Sequence, residues 1–247
     1  MAKQRPCIYV FAGTNGAGKS SVIGTGFTAA GAEYFNPDEA AKYVRAANPA
    51  LDDEQANGIA WSLGRQRLER AIAERGRIAF ETTLGGNTIP ALLQRAIDEG
   101  IDVNIKFVGL VSPELHIQRV RARVARGGHD IPEEKIRERY QKSRLNLIRL
   151  LPGLAELLVY DNSREADPAR GVPPQPVLLL HMKRGRIVKT ADLATIPQWA
   201  KPILAAAMSL AKRSRRWRPT TSDRRLTTTD HRRNARSTPA RHPRHVA

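Results

Sequence analysis

"GTNGAGKS", residues 13–20, decides how the rest of the chain is read. It meets the spacing G-x-x-x-x-G-K-[ST] at every fixed position. An apolar run, "CIYVFAG" (7–13), leads into it, and a helix-forming stretch follows. That context supplies the physics of the motif. Its glycines let backbone N–H groups turn toward phosphate oxygens, and the start of a helix adds partial positive charge. Gly13, Thr14, Asn15, Gly16, Ala17, Gly18, Lys19, Ser20 and Ser21 are therefore the expected binding loop for ATP or GTP. Within it Lys19 reaches the β- and γ-phosphates and Ser20 holds Mg²⁺.

Outward from the loop, apolar runs of strand length recur at 32–36, 77–83, 103–110 and 157–163. Continuous apolar character over so few residues suits strands buried on both faces of a parallel sheet. Helical stretches alternate with them: 56–76, ending at Gly76 as a C-cap, and 90–100. The expected fold is α/β, of the P-loop NTPase or kinase type, with a mostly parallel sheet flanked by helices. After Pro173-Pro174, "PVLLLHMKRGRIV" predicts two short strands about an Arg-Gly turn, a late hairpin on the sheet edge, then a helix near 197–212. The expected domain is 1–211, with a lid at about 112–147 and the hairpin and helix at about 176–211.

Charge marks the end of that domain. Of the net +17, +10 falls in 212–247, with 12 Lys and Arg against 2 Asp, leaving +7 for the preceding 211 residues. This stretch has almost no apolar residues and no periodicity, so burial cannot offset the entropy of ordering it, and a disordered basic tail is expected. Such a polycation touches nucleic acid or acidic partners non-specifically, or is simply a solvated tail. The single cysteine, Cys7, cannot form an intramolecular disulfide and fits a reducing cytoplasm. The N-terminus has too short an apolar stretch for a signal peptide, and no run is long enough to span a membrane.

Three further pieces carry chemistry. "FNPDEAA" places Asp38 where a second strand gives way to a helix, at the carboxyl edge of the sheet. There it would take a hydroxyl proton as the γ-phosphoryl leaves ATP, or cap the helix; position alone leaves both open, and Glu39 is the weaker alternative base. "FETT" (80–83) ends the third strand with Glu81, which would position a metal, bind a substrate hydroxyl with Thr82 or Thr83, or merely end the strand. "RARVARGGHDIPEEKIRERYQKSRLNL" (121–147) reads as two helices joined at Gly127-Gly128, the second capped by a D-x-x-E at Asp130 and Glu133, with Ile136, Tyr140 and Leu147 as its apolar stripe. Beside a phosphate loop, this pair is expected to be a lid whose Arg126 and Arg139 meet the transferring phosphoryl group; alone it would be a solvated basic helix pair.

Taken in order, "FAGTNGAGKSS", "FNPDEAA", "AFETTLGG", "VSPELHIQRVRARVARGGHDIPEEKIRERYQKSRLNL" and "VYDNS" resemble the zeta-toxin family of P-loop kinases, from about residue 7 to 163. The resemblance implies transfer of the ATP γ-phosphate to a hydroxyl of a nucleotide sugar, UDP-N-acetylglucosamine in the family's toxins, with an antitoxin protein restraining the kinase. On it, Asp38 matches the base, Lys19 and Ser20 the phosphate and Mg²⁺ contacts, Glu81 a substrate-side residue, and Arg126 and Arg139 the lid arginines. The departures are Thr14 for the usual Pro, Ser20 for a frequent Thr, and Gly85-Gly86 for the usual Ser-Gly. Two other functions compete: a nucleic-acid-associated ATPase or polynucleotide kinase docking through the tail, and a nucleotide-dependent switch without catalysis.

Overall fold

The computed structural model describes residues 5–23, 32–164 and 175–216. Its strands are β1 (Cys7–Ala12), β2 (Glu33–Phe35), β3 (Arg77–Thr82), β4 (Asp102–Gly109), β5 (Glu156–Asp161), β6 (Val177–Lys183) and β7 (Arg186–Thr190). They form one sheet in the order β2-β3-β1-β4-β5-β6-β7. The first five are parallel, and β6 and β7 add the expected antiparallel hairpin at the edge. The helices are α1 (Lys19–Ile23), α2 (Pro37–Ala47), α3 (Asp53–Ala73), α4 (Thr88–Asp98), α5 (Pro113–Val124), α6 (Glu133–Leu150) and α7 (Lys201–Arg216).

The strand order sets the site. β1 lies between β3 and β4, and Ala12 is in register with Thr82 on one side and Phe107 on the other. The chain builds the β3 side first and crosses to the β4 side afterwards. The carboxyl end of β1 is thus the switch point where open α/β sheets form a binding crevice. The phosphate loop leaves the sheet there.

Two cores hold the frame. The main one packs Ile8, Val10, Ile105, Leu157 and Val159 of the sheet against Leu68, Leu93, Leu147 and Ile203 of the helices. A second, small one joins α5 to the first turn of α6 through Ile117, Val120, Ile131 and Ile136. The C-terminal half of α6 belongs to the main core and its N-terminal turn to the small one.

Several local expectations are corrected. α3 begins at Asp53, earlier than expected, because Asp52 and Gln55 form a reciprocal capping box. At its end Arg75, with φ 49°, takes the left-handed position, not Gly76. Arg75 N–H bonds Ile72 O at 3.1 Å and Gly76 N–H bonds Ala71 O at 2.8 Å, a Schellman closure one residue ahead of the glycine. α5 stops at Val124, short of the Gly127-Gly128 joint, because the chain turns back there with Gly128 N–H on Arg123 O. Asp130 does not cap α6: its carboxylate accepts from Ile131 N–H at 2.8 Å, and the helix opens behind Pro132. α7 runs to Arg216, past Ala211 where the folded part was expected to end; Lys and Arg are good helix formers and suit a helix C-terminus. The rest of the expected disordered tail, 217–247, lies outside the described residues. Among the described residues no helix is long and apolar enough to cross a membrane.

Candidate active site

The phosphate loop is shaped from within and pinned from behind. Gly13, Gly16 and Gly18 have φ of 148°, 81° and 79°, conformations that side chains rarely adopt. A Cβ at Gly13 would also lie 2.2 Å from Val108 O. Behind the loop, alternate carbonyls are claimed by side-chain donors. Lys19 Nζ donates to Gly13 O at 3.0 Å, His116 Nδ1 to Asn15 O at 2.8 Å, and Asn162 Nδ2 to Ala17 O at 2.9 Å. Thr14, the departure from Pro, places its hydroxyl 3.3 Å from that of Ser143 on α6, a contact proline cannot make. Ser20 stands exposed in the first turn of α1; the side chain of Ser21 lies outside the described ones.

His116 is fully buried, and burial pushes its pKa down to about 4, against a rise from the Asn15 carbonyl. A carbonyl only accepts, so Nδ1 carries the proton of a neutral ring. The consequence for stability has a definite sign. Between pH 6.5 and 4 the unfolded state binds a proton that the native state refuses, so stability is lost as pH falls through that window. The expected loss approaches about 3 kcal/mol. Urea unfolding of the wild type and of His116→Gln at pH 7.5, 6 and 4.5 checks this: the variant is less stable at pH 7.5 but has a visibly flatter pH slope.

On the other side of the loop, Glu81 ends β3 as a buried carboxylate. Lys19 Nζ lies 3.6 Å from its Oε1, Tyr34 donates to its Oε2 at 2.9 Å, and Asn36 Nδ2 donates to the same oxygen at 3.2 Å. Burial, then the charge of Glu81, pushes the Tyr34 phenol well above its ordinary range. The other end of the Asn36 amide caps α2: its Oδ1 accepts from Asp38 N–H at 2.9 Å and Glu39 N–H at 3.4 Å. Asp38 is therefore not the cap. Its carboxylate stands free of the helix end, exposed, with Oδ2 at 3.5 Å from Arg123 Nη1. Thr82 and Thr83 use their hydroxyl oxygens locally, accepting from Leu84 N–H at 3.0 Å and Gly85 N–H at 3.3 Å.

The lid arginines divide. Arg139 Nη1 donates to Asn15 Oδ1 at 2.8 Å, directly on the phosphate loop. Burial lowers its pKa, Glu138 and Asp38 raise it, and a guanidinium stays charged in such a setting. Gly85 makes that placement fit: a Cβ there would lie 2.6 Å from Arg139 Cγ and 3.2 Å from its Cα, so the usual serine would displace α6. Asn146, also on α6, ties the same loop down through Leu84 O and Gly86 O, both at 2.9 Å. Arg126 is not brought to this group: it is exposed, and its Nε turns back to Ala122 O at 3.1 Å. Arg123, one turn earlier, stands at Asp38 instead and keeps a buried Nε–H without a partner.

Sequence reasoning missed Arg123, His116, Asn36, Ser143, Asn146 and Asn162. Asn36 was findable, since an Asn before Pro at a helix start is a capping signal. Asn162 closes a parallel strand at the carboxyl edge, where polar residues mark sites. For Arg123 spacing misleads: Arg126, beside the joint, lies past the end of α5 and turns back to Ala122 O, while Arg123 in the last turn of the helix faces Asp38.

The donor set fits Mg²⁺ with a nucleotide. Among the described residues no cluster of three or more His, Cys, Asp or Glu could hold a metal by itself. Mg²⁺ needs none, taking one or two protein oxygens and completing its shell with phosphate and water. The Ser20 hydroxyl, exposed next to Lys19, is an oxygen that could serve in this way.

Comparison with known proteins follows this geometry. Residues 1–167 match the family described as zeta toxin. An uncharacterized protein of Haemophilus influenzae is 32% identical over 130 residues, covering 53% of this chain and 89% of its own length. The solved structure of AvrRxo1-ORF1:AvrRxo1-ORF2 with sulphate ions superposes with a TM-score of 0.58 at 14% identity, over 85% of this chain and 76% of that one. The complex of the same pair with ATP gives 0.57 at 14%, over 82% and 64%. At such identity these two show the fold alone. The family match covers most of the folded part and every element of the site: this chain belongs to the zeta toxin family, on a P-loop kinase fold.

Proposed function

We propose that the protein is an ATP-dependent kinase that phosphorylates a hydroxyl of a nucleotide sugar such as UDP-N-acetylglucosamine, with Asp38 as base. One observation carries the reading. Asn36 takes over the capping of α2, leaving the Asp38 carboxylate unengaged by the helix end and facing Arg123 at the carboxyl edge of the sheet. A carboxylate not consumed in capping its helix, at the sheet edge where the phosphate loop leaves, has the placement a general base requires.

The remaining roles follow from the contacts. Lys19 leaves Gly13 O for the β- and γ-phosphate oxygens, and Arg139 is already on the loop. Arg123 and Arg139 flank the charge that spreads over the transferring group, while Arg126 stays outside. Glu81, with Tyr34 and Asn36 on its second oxygen, receives an acceptor hydroxyl, and Thr82 and Thr83 line the same edge. Ser20 would hold Mg²⁺, which when bound would supply neutralisation of phosphate charge. A cytoplasmic setting supplies the ATP. An antitoxin-like protein partner belongs to the same proposal, supported by the family and by the solved pairing of AvrRxo1-ORF1 with AvrRxo1-ORF2.

The test is direct. Purified protein, ATP, Mg²⁺ and UDP-N-acetylglucosamine are expected to yield a sugar nucleotide heavier by one phosphate in mass spectra. If ATP binds and this acceptor stays unmodified while a sugar, nucleoside or polynucleotide end is phosphorylated, the acceptor assignment falls. Phosphorylation of none of them removes the kinase reading.

A further inference from the structure

Arg123 does not reach Asp38 unaided. Its stem runs beneath the joint between α5 and α6, where a Cβ at Gly128 would lie 2.7 Å from its Cγ. Its Nη2 donates to the backbone carbonyl of His129 at 2.8 Å. The position of that carbonyl depends in turn on where the His129 ring is anchored.

The ring is anchored on α3. Nε2 lies 3.1 Å from Asn57 Nδ2, and Nδ1 lies 3.3 Å from Asp53 Oδ2. The Asn57 amide is oriented by its own bond to Asp53 O at 2.7 Å, so it offers a hydrogen to His129. Nε2 therefore accepts, and Nδ1 carries the proton that it donates to the Asp53 carboxylate. Asp53 also pairs with Arg45 of α2. The contacts close a ring that leaves α2 at Arg45, passes through Asp53, His129 and Arg123, and returns to α2 at Asp38.

From this ring we infer that His129 is a positioning residue: it straps the α5–α6 joint to the first turn of α3 and so holds the Arg123 guanidinium at Asp38. The inference rests on the kinase reading for its effect on turnover, and on geometry alone for the strap. The contacts that shape the phosphate loop, through Asn15, Ala17 and Thr14, do not pass through His129. Its loss is therefore felt in the transfer step and not in nucleotide binding.

The experiment uses the full chain and the variants His129→Ala, His129→Asn, Arg123→Ala and the double variant His129→Ala/Arg123→Ala. Hydrogen exchange of the wild type and His129→Ala reads the strap; amides of 126–131 are expected to exchange about tenfold faster in the variant. Transfer to UDP-N-acetylglucosamine reads the positioning. His129→Ala is expected to lower kcat about tenfold with ATP affinity within about twofold, since a displaced guanidinium forfeits orientation and not binding. His129→Asn, whose amide can still donate to Asp53, recovers part of the rate. The double variant is no slower than Arg123→Ala alone, because both remove one interaction. Unchanged exchange overturns the strap. Losses that multiply in the double variant, or an unchanged kcat in His129→Ala, overturn the positioning role. Should the wild type phosphorylate no acceptor offered, the kinase reading falls by itself, and the exchange comparison still decides whether His129 holds the joint.

Discussion

Asp38→Asn is expected to slow phosphotransfer by about three orders of magnitude, the middle of the range for loss of a positioned general base. ATP affinity, measured by titration calorimetry, should stay within about twofold, since the Asp38 carboxylate pairs with Arg123 and not with a described residue of the phosphate loop. Stability should barely move. Asp38 sits in the first turn of α2, where its charge is worth about 0.5 kcal/mol against the helix dipole. Asn36→Ala, by contrast, removes the cap itself and should cost about 1 kcal/mol. It also withdraws a donor from Glu81. The pair separates the two roles that position alone could not: if Asp38→Asn unfolds the protein as readily as Asn36→Ala while transfer per folded molecule persists, Asp38 is structural and the base lies elsewhere.

Lys19→Met is expected to act on both binding and rate. The ammonium makes two contacts in this structure, donating to Gly13 O and pairing with Glu81, both largely out of water. In the loaded site it meets charge that grows as the phosphoryl group moves. Removing one such preorganised donor costs about 100- to 1,000-fold in rate. ATP affinity should weaken about tenfold, as a charge-assisted contact of roughly 1.4 kcal/mol is lost. Lys19→Arg should not rescue, because a planar fork cannot take the place of a compact ammonium between Gly13 O and Glu81. Stopped-flow nucleotide binding alongside steady-state transfer separates the two effects. A variant that binds ATP normally and transfers at the wild-type rate would remove Lys19 from the mechanism.

Much of this fold was legible because its central strands, β1 and β3, are largely buried on both faces. Parallel strands favour continuous apolar runs, and "CIYVFAG" and "RIAFETT" show them within one residue of β1 and β3; "VNIKFVGL" also falls within one residue of β4, although Asn104 and Lys106 interrupt it and its burial alternates at first. The phosphate loop was legible because its glycines and lysine obey fixed spacing. Helix ends were less so. Arg75 took the left-handed position expected of Gly76, because a Schellman closure is set by where the last carbonyls point. What the one-dimensional pattern could not show was how long side chains travel. Arg126 and Arg123 look alike along the sequence, yet only Arg123 faces Asp38. His116, Ser143 and Asn162 come from three distant segments, and their meeting behind the phosphate loop exists only in the folded chain.

The two arginines near the reacting centre differ in kind. From Arg139 onward α6 is bolted to the frame, by Asn15, by the Thr14–Ser143 contact, by the Asn146 ties and by Leu147 and Leu150 in the main core. Arg123 belongs to the outer end of the helix pair, whose support is the four-residue small core and the contacts of the joint. On the proposed reading, an incoming nucleotide would meet one charge fixed by the frame, at Arg139, and one held by the contacts of the joint, at Arg123. On that reading, nucleotide affinity is expected to depend on the first. Phosphotransfer is expected to depend on the second, so substitutions in the joint would slow the reaction while leaving nucleotide affinity nearly intact.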